Sequence, residues 1–181
     1  MKNVAVLLAN GFEEIEALTV VDVLRRANVN CNIISINEIE VVGAHNIRVM
    51  ADLILKDDLD VDMVVLPGGM PGAKNLKEDT RVIKLLKRMN EEKKKIAAIC
   101  AAPIVLEEAK IIEGKNVTSY PGFESDLKDV NYKEDLVVVS DNIITSRGPA
   151  TALEFSYKLL DELNVLKSDE LKDEMLYNLI K

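Results

Sequence analysis

A chain of 181 residues, 48% hydrophobic and 30% charged, is long enough for one domain with a sizeable buried core. Its 31 Asp and Glu outweigh 23 Lys and Arg, giving a net charge of -8; such an acidic surface repels phosphate backbones and anionic lipid, so neither nucleic acid nor a membrane is an expected partner. Apolar runs stay far below the roughly 20 residues of a membrane span, and two cysteines make no disulfide framework, which suits a reducing cytoplasm.

Residues 4–8, Val-Ala-Val-Leu-Leu, read as a buried parallel strand too short for a signal-peptide core. Apolar residues at helical spacing follow at Ala17, Val20, Val21 and Leu24, and residues 32–36 form the next strand. Residues 40–50 read as a hairpin around Gly43-Ala44-His45-Asn46. Residues 62–66 make a further strand, stopped by Pro67-Gly68-Gly69. A helix over 76–91 carries Val82, Leu85, Leu86 and Met89 on one face, and Lys93, Lys94 and Lys95 mark its solvated C-terminal end. A strand over 96–99 runs into a helix beginning at Pro103. Residues 136–139 and 143–145 flank Asp141-Asn142 as a second hairpin, and two helices, 151–163 and 170–180, close the chain. Strands alternating with helices predict a mostly parallel sheet covered on both faces, in one domain spanning 1–181, with ligands held beyond the carboxyl ends of the strands.

Three such ends carry candidate chemistry. In Ile96-Ala97-Ala98-Ile99-Cys100-Ala101-Ala102-Pro103, the cysteine falls on a strand-to-helix turn between small residues, the layout of a nucleophile elbow. Helix N–H groups aimed at the sulfur are expected to lower its pKa and favour thiolate. Cys31, inside a strand, is expected to be core. In Gly11-Phe12-Glu13-Glu14-Ile15-Glu16, the first two glutamates are read as compensating the helix dipole. Glu16, between Ile15 and Ala17, is read as turned inward and held protonated, able to donate a hydrogen bond. In Leu66-Pro67-Gly68-Gly69-Met70-Pro71-Gly72, consecutive glycines let backbone amides approach a developing anion. The single histidine, His45, is expected on the surface of its hairpin, so a Cys-His pair and a His-rich zinc site lack their obvious member. No dinucleotide or metal fingerprint is present, and no cofactor is expected.

These three motifs, joined by Thr145-Ser146-Arg147-Gly148-Pro149 and standing in this order, resemble the ThiJ/PfpI family, in particular the branch that contains the parkinsonism-associated protein deglycase and its bacterial relatives. The resemblance spans about residues 3–165. It implies a flavodoxin-like three-layer sandwich related to class I glutamine amidotransferase domains, usually as a homodimer. Cys100 matches the reactive cysteine, Glu16 the protonated glutamate beside it, and Gly68, Gly69 and Ala101 the backbone amides that line the pocket. The activities it implies are glutathione-independent glyoxalase and protein deglycase chemistry on small α-oxoaldehydes or glycated protein side chains, oxidative-stress sensing through the same cysteine, and chaperone action. Many members carry a histidine where this chain has Tyr120, and a phenol shuttles protons less readily than an imidazole at neutral pH. The protease-like branch has a histidine directly after its cysteine; here Ala101 stands there, and peptidase activity is not expected. A dimer contact is expected on the first helix near Leu18, Val21, Asp22 and Arg25.

Overall fold

The structure, a computed structural model, describes residues 1–180. Its frame is a seven-stranded sheet. In chain order the elements are β1 (Asn3–Leu8), α1 (Glu14–Arg26), β2 (Asn30–Ser35), β3 (Glu40–Val42), β4 (Arg48–Met50), β5 (Leu53–Ile54), β6 (Met63–Leu66), α2 (Gly72–Glu78), α3 (Thr80–Glu91), β7 (Lys95–Ile99), α4 (Pro103–Glu108), β8 (Asn116–Val117), β9 (Asn131–Tyr132), β10 (Val137–Ser140), β11 (Ile143–Ser146), α5 (Ala152–Glu162) and α6 (Ser168–Glu174). The sheet order is β10-β11-β7-β6-β1-β2-β5, with every pair parallel except the β10–β11 hairpin.

Both faces of the central strands are apolar because both are covered. Along β1, Ala5 and Leu7 join the core under α2, α3 and α4, whereas Val4, Val6 and Leu8 join the core under α1 and α5. Strands β6 and β7 divide in the same way, Val64, Leu66, Ile96 and Ala98 to one layer and Met63, Val65, Ala97 and Ile99 to the other. This is the flavodoxin-like three-layer sandwich. Because β2 leaves β1 on one side and β6 on the other, the strand order reverses between β1 and β6, the place where such sheets open a crevice at their carboxyl ends. Asn10-Gly11 and Gly68-Gly69 follow those two strands, and Cys100 follows the neighbouring β7.

Two helical expectations need correcting. The helix predicted over 76–91 is two helices, α2 and α3, because Asp79 takes an extended backbone and its carboxylate caps α3 by accepting from Arg81 N (2.8 Å). The final helix stops at Glu174, and Leu176, at φ +58°, turns the chain into a short 3-10 segment, Tyr177–Leu179. Val21, Asp22 and Arg25, expected at a dimer contact, also make contacts within the chain. Val21 is buried against the core, Asp22 pairs with Arg26 (2.9 Å), and Arg25 pairs with Asp52 (2.6 Å). Among the described residues, no helix is long and apolar enough to cross a membrane.

Candidate active site

Cys100 occupies the turn between β7 and α4 with φ +64°, a left-handed backbone that a residue with a Cβ adopts only under outside constraint. Two backbone bonds supply it: Cys100 N donates to Ser146 O (3.0 Å), and Tyr120 N donates to Cys100 O (2.9 Å). The Thr145–Pro149 motif thus buttresses the elbow from the adjacent strand. Ser146 Oγ donates to Leu136 O (2.6 Å), and Thr145 Oγ1 accepts from Thr118 N (2.9 Å).

Glu16 reaches this turn from α1 and is wholly buried. Its Oε2 accepts from Gly68 N (2.8 Å), while Oε1 is buried with no hydrogen-bond partner among the described residues. Burial raises the carboxyl to about 7, offset in part by the Gly68 N–H and by the Cys100 thiol beside it. Glu13, one turn earlier, adds repulsion in the same direction as burial. Gly68 is glycine because there is no space for more: a Cβ there would lie 2.6 Å from Cys100 Cβ and 2.8 Å from Glu16 Oε2. Gly69, at φ +85°, turns the loop, and a Cβ on it would strike the backbone of Gly11, Phe12 and Glu13.

The predicted residues therefore converge, with two corrections. Cys100 does not have the lowered pKa expected of it. Burial pushes the thiol up to about 12, the ionised Glu16 carboxylate pushes the same way, and the amides of Gly69 and Ala101 only partly oppose them. The physical reason is that the sulfur is mostly enclosed, so the lost hydration of a thiolate outweighs the bonds from the two amides. The Glu16 contribution lasts only while that carboxyl is charged. A proton on Glu16 removes the repulsion and turns the carboxyl into a donor, so the pair holds one shared proton more tightly than either group would alone. The second correction concerns the amides. Those of Gly69 and Ala101 face the sulfur, whereas the Gly68 amide is engaged by Glu16.

Tyr120 contributes its backbone to the elbow, but its side chain lies 47% exposed, with its ring against Gly148. Together with Leu136 and Pro149 it edges a shallow apolar groove of about 270 Å³. Cys31 is core, its thiol pushed up to about 12 chiefly by burial.

One arrangement escaped sequence reasoning. Glu14, expected to compensate the helix dipole, is buried, and its Oε1 accepts from His45 N (2.7 Å) while its Oε2 meets His45 Nδ1 at 2.8 Å. A Cβ on Gly43 would overlap the Glu14 carboxyl, so the hairpin tip closes directly over it. Burial opposes ionisation of Glu14, but the His45 bonds outweigh it and hold the carboxyl below its usual value; Glu14 in turn raises the His45 imidazole. The chain's single histidine thus serves Glu14, and among the described residues no imidazole hydrogen-bonds Cys100. The partners lie 31 positions apart and share no periodic pattern, so only the hairpin's docking could reveal them.

Similarity to characterised proteins agrees with this geometry. The chain is 40% identical to Protein dj-1beta of Drosophila melanogaster over 167 residues, covering 90% of this chain and 89% of that protein. The crystal structure of Drosophila DJ-1beta matches with a TM-score of 0.93 at 38% identity, covering 97% of this chain and 98% of that one. A structure of Toxoplasma gondii DJ-1 in an oxidised state matches with a TM-score of 0.93 at 32% identity, covering 97% and 98%. The Bacillus subtilis protein YraA, named a putative cysteine protease, is 35% identical over 171 residues, covering 92% of this chain and 99% of that protein. The model of the DJ-1/PfpI family matches residues 2–162. With the family model spanning residues 2–162 and a relative 40% identical along most of both chains, the chain belongs to the DJ-1/PfpI family.

Proposed function

We propose that this protein is a cysteine-dependent stress-response enzyme acting on reactive carbonyls without a cofactor, with Cys100 as nucleophile and Glu16 as proton relay. The observation that carries this reading is a strained cysteine facing a buried carboxyl near neutrality and the amides of two residues, Gly69 and Ala101. The sulfur adds to the aldehyde carbon of an α-oxoaldehyde such as methylglyoxal, and the thiol proton passes to the new hydroxyl, giving a hemithioacetal. The oxygen that gains charge during addition faces the Gly69 and Ala101 amides. Glu16 moves the carbon-bound proton to the neighbouring carbonyl carbon through an enediol, leaving a thioester on Cys100. Water then releases a 2-hydroxy acid and restores the thiol, so the net reaction adds one water to the substrate. On a protein aminocarbinol, breaking the C–N bond with return of the carbinol proton to nitrogen frees the amine and an α-oxoaldehyde, to which Cys100 adds as above; this would account for deglycase-type chemistry.

A second reading uses the same sulfur as an oxidative-stress sensor. The orphaned Glu16 Oε1, once protonated, is a donor suited to a sulfinate oxygen, and the Toxoplasma relative has been solved oxidised. Methylglyoxal consumption with lactate detection, in amine-free buffer, separates the two for wild type, Cys100→Ser and Glu16→Gln. Saturable lactate formation lost in both variants supports the enzyme. Consumption that stops at one equivalent without lactate refutes it and leaves the sensor.

We further propose a cytoplasmic homodimer of single-domain chains. Ile15 on α1, Ile47 and Met50 on the hairpin and Leu53 on the edge strand β5 are each at least half exposed, and the Arg25–Asp52 pair binds these elements together. Sedimentation giving a monomer of about 20 kDa at micromolar concentration would refute the dimer.

A further inference from the structure

We propose that Glu13, Glu14 and His45 form a binding site for a divalent transition metal, with Zn²⁺ as the reference ion. The candidate ligand atoms are one oxygen from each carboxylate and His45 Nδ1, all within 4.8 Å of one another. Zinc bonds of about 2.0–2.1 Å set tetrahedral edges of about 3.3 Å between ligand atoms. His45 Nδ1 lies 2.8 Å from Glu14 Oε2 and 3.6 Å from Glu13 Oε2, bracketing that edge on both sides. On these two edges an ion needs His45 to move by only a few tenths of an ångström relative to each carboxylate, and the third edge, between the carboxylates, is no longer than 4.8 Å.

The surroundings supply what a bare acidic cluster lacks. The carboxylates are shielded, with side-chain exposures of 12% for Glu13 and 5% for Glu14, while the imidazole is 67% exposed and gives an ion its way in. Glu14 is oriented from behind: its Oε1 is occupied by the amides of His45 and Ile47, which leaves Oε2 to face the imidazole. The hairpin carrying His45 is fastened to the start of α1 by Gly11 N to Val42 O (2.8 Å) and Ala44 N to Phe12 O (2.8 Å), so the ligands sit on joined elements. Among the described residues the only ionic partner of Glu13 is His45, at 3.6 Å. Two shielded carboxylates thus face one monovalent cation at most. A divalent ion that displaces the Nδ1 proton would balance both, with neutral imidazole as third ligand and water completing the shell. Two carboxylates and one imidazole suit the harder first-row divalent ions better than thiophilic ones.

The test is titration of the intact, metal-free protein with Zn²⁺, by calorimetry and by NMR. His45 is the sole histidine, so its ring resonances report its ligation without overlap. The expected result is one ion per chain, a shift of the His45 ring signals on binding, affinity lowered about tenfold or more in both His45→Gln and Glu13→Gln, and no change in Cys100→Ser. An exposed imidazole can be replaced without threatening the fold, and the unfolding transition of His45→Gln checks this directly. Binding lost in Cys100→Ser but kept in His45→Gln would overturn the proposal by placing the ion on the thiol. Absence of binding, or ring signals unmoved at saturation, would overturn it as well.

Discussion

Raising the pH should weaken this fold through Glu16, and Glu16→Gln should be immune to the effect. The carboxyl has an ordinary value of 4.5 and is raised to about 7 in the folded chain, with burial the largest cause. Below about pH 4.5 folded and unfolded chains both keep the proton. Between 4.5 and about 7 the unfolded chain releases it while the folded chain retains it, so the folded state binds more protons and stability falls as pH rises. Above about 7 the loss is complete. At about 1.4 kcal/mol per pH unit, the span from 4.5 to about 7 amounts to about 3 kcal/mol, a large fraction of the stability of a domain this size. Glutamine is isosteric with the protonated acid: its oxygen can accept from Gly68 N and its amide group stands where the acid proton would be. Urea unfolding of both proteins from about pH 5 to 8 gives the difference free of every other titrating group, including Glu14, Asp62 and Asp79, which are held below their usual values and act with the opposite sign. The wild-type stability relative to glutamine should fall by about 2 kcal/mol across that range, since part of the effect lies below pH 5. Repeating the comparison in Cys100→Ser tests which group carries the proton; persistence of the slope assigns it to the carboxyl. A difference that stays flat with pH would refute the buried, raised carboxyl and with it the relay proposed for Glu16.

Other perturbations probe other contacts. Gly68→Ala pushes a methyl to within 2.6 Å of Cys100 Cβ and should cost about 1–3 kcal/mol in urea unfolding while slowing alkylation of the thiol; unchanged alkylation would show that the loop yields freely. Asp79→Ala removes the cap of α3 and should cost about 1 kcal/mol, with Asp79→Asn recovering much of it because the cap needs only an acceptor. Tyr120→Phe should leave lactate formation nearly unchanged, since the phenol is half exposed; a fall on the order of 100-fold would make it a general acid instead. Met50→Glu, at a 62% exposed position, should shift sedimentation toward monomer without lowering the unfolding midpoint of the isolated chain.

Periodicity and turn chemistry determined much of this protein in advance. Continuous apolar runs at residues 4–8 and 96–99 could be satisfied only by strands covered on both faces, and the cores above and below the sheet take alternate residues of each. Small residues and a proline around Cys100 announced the elbow, and the apolar neighbours of Glu16 announced a carboxyl facing inward. What the sequence could not carry were quantities set by contacts between distant segments. The division of 76–91 into two helices turned on the side chain of Asp79 capping the second, where helical spacing continued unbroken on paper. The Cys100 shift runs opposite to the one expected because local sequence displays the helix amides but not the enclosure of the sulfur or the charge that Glu16 brings from 84 positions away. Glu14 and His45 show the same limit: whether an acid at a helix start stays in water or becomes a buried anchor depends on which loop folds over it, and that is decided only when the hairpin closes on α1.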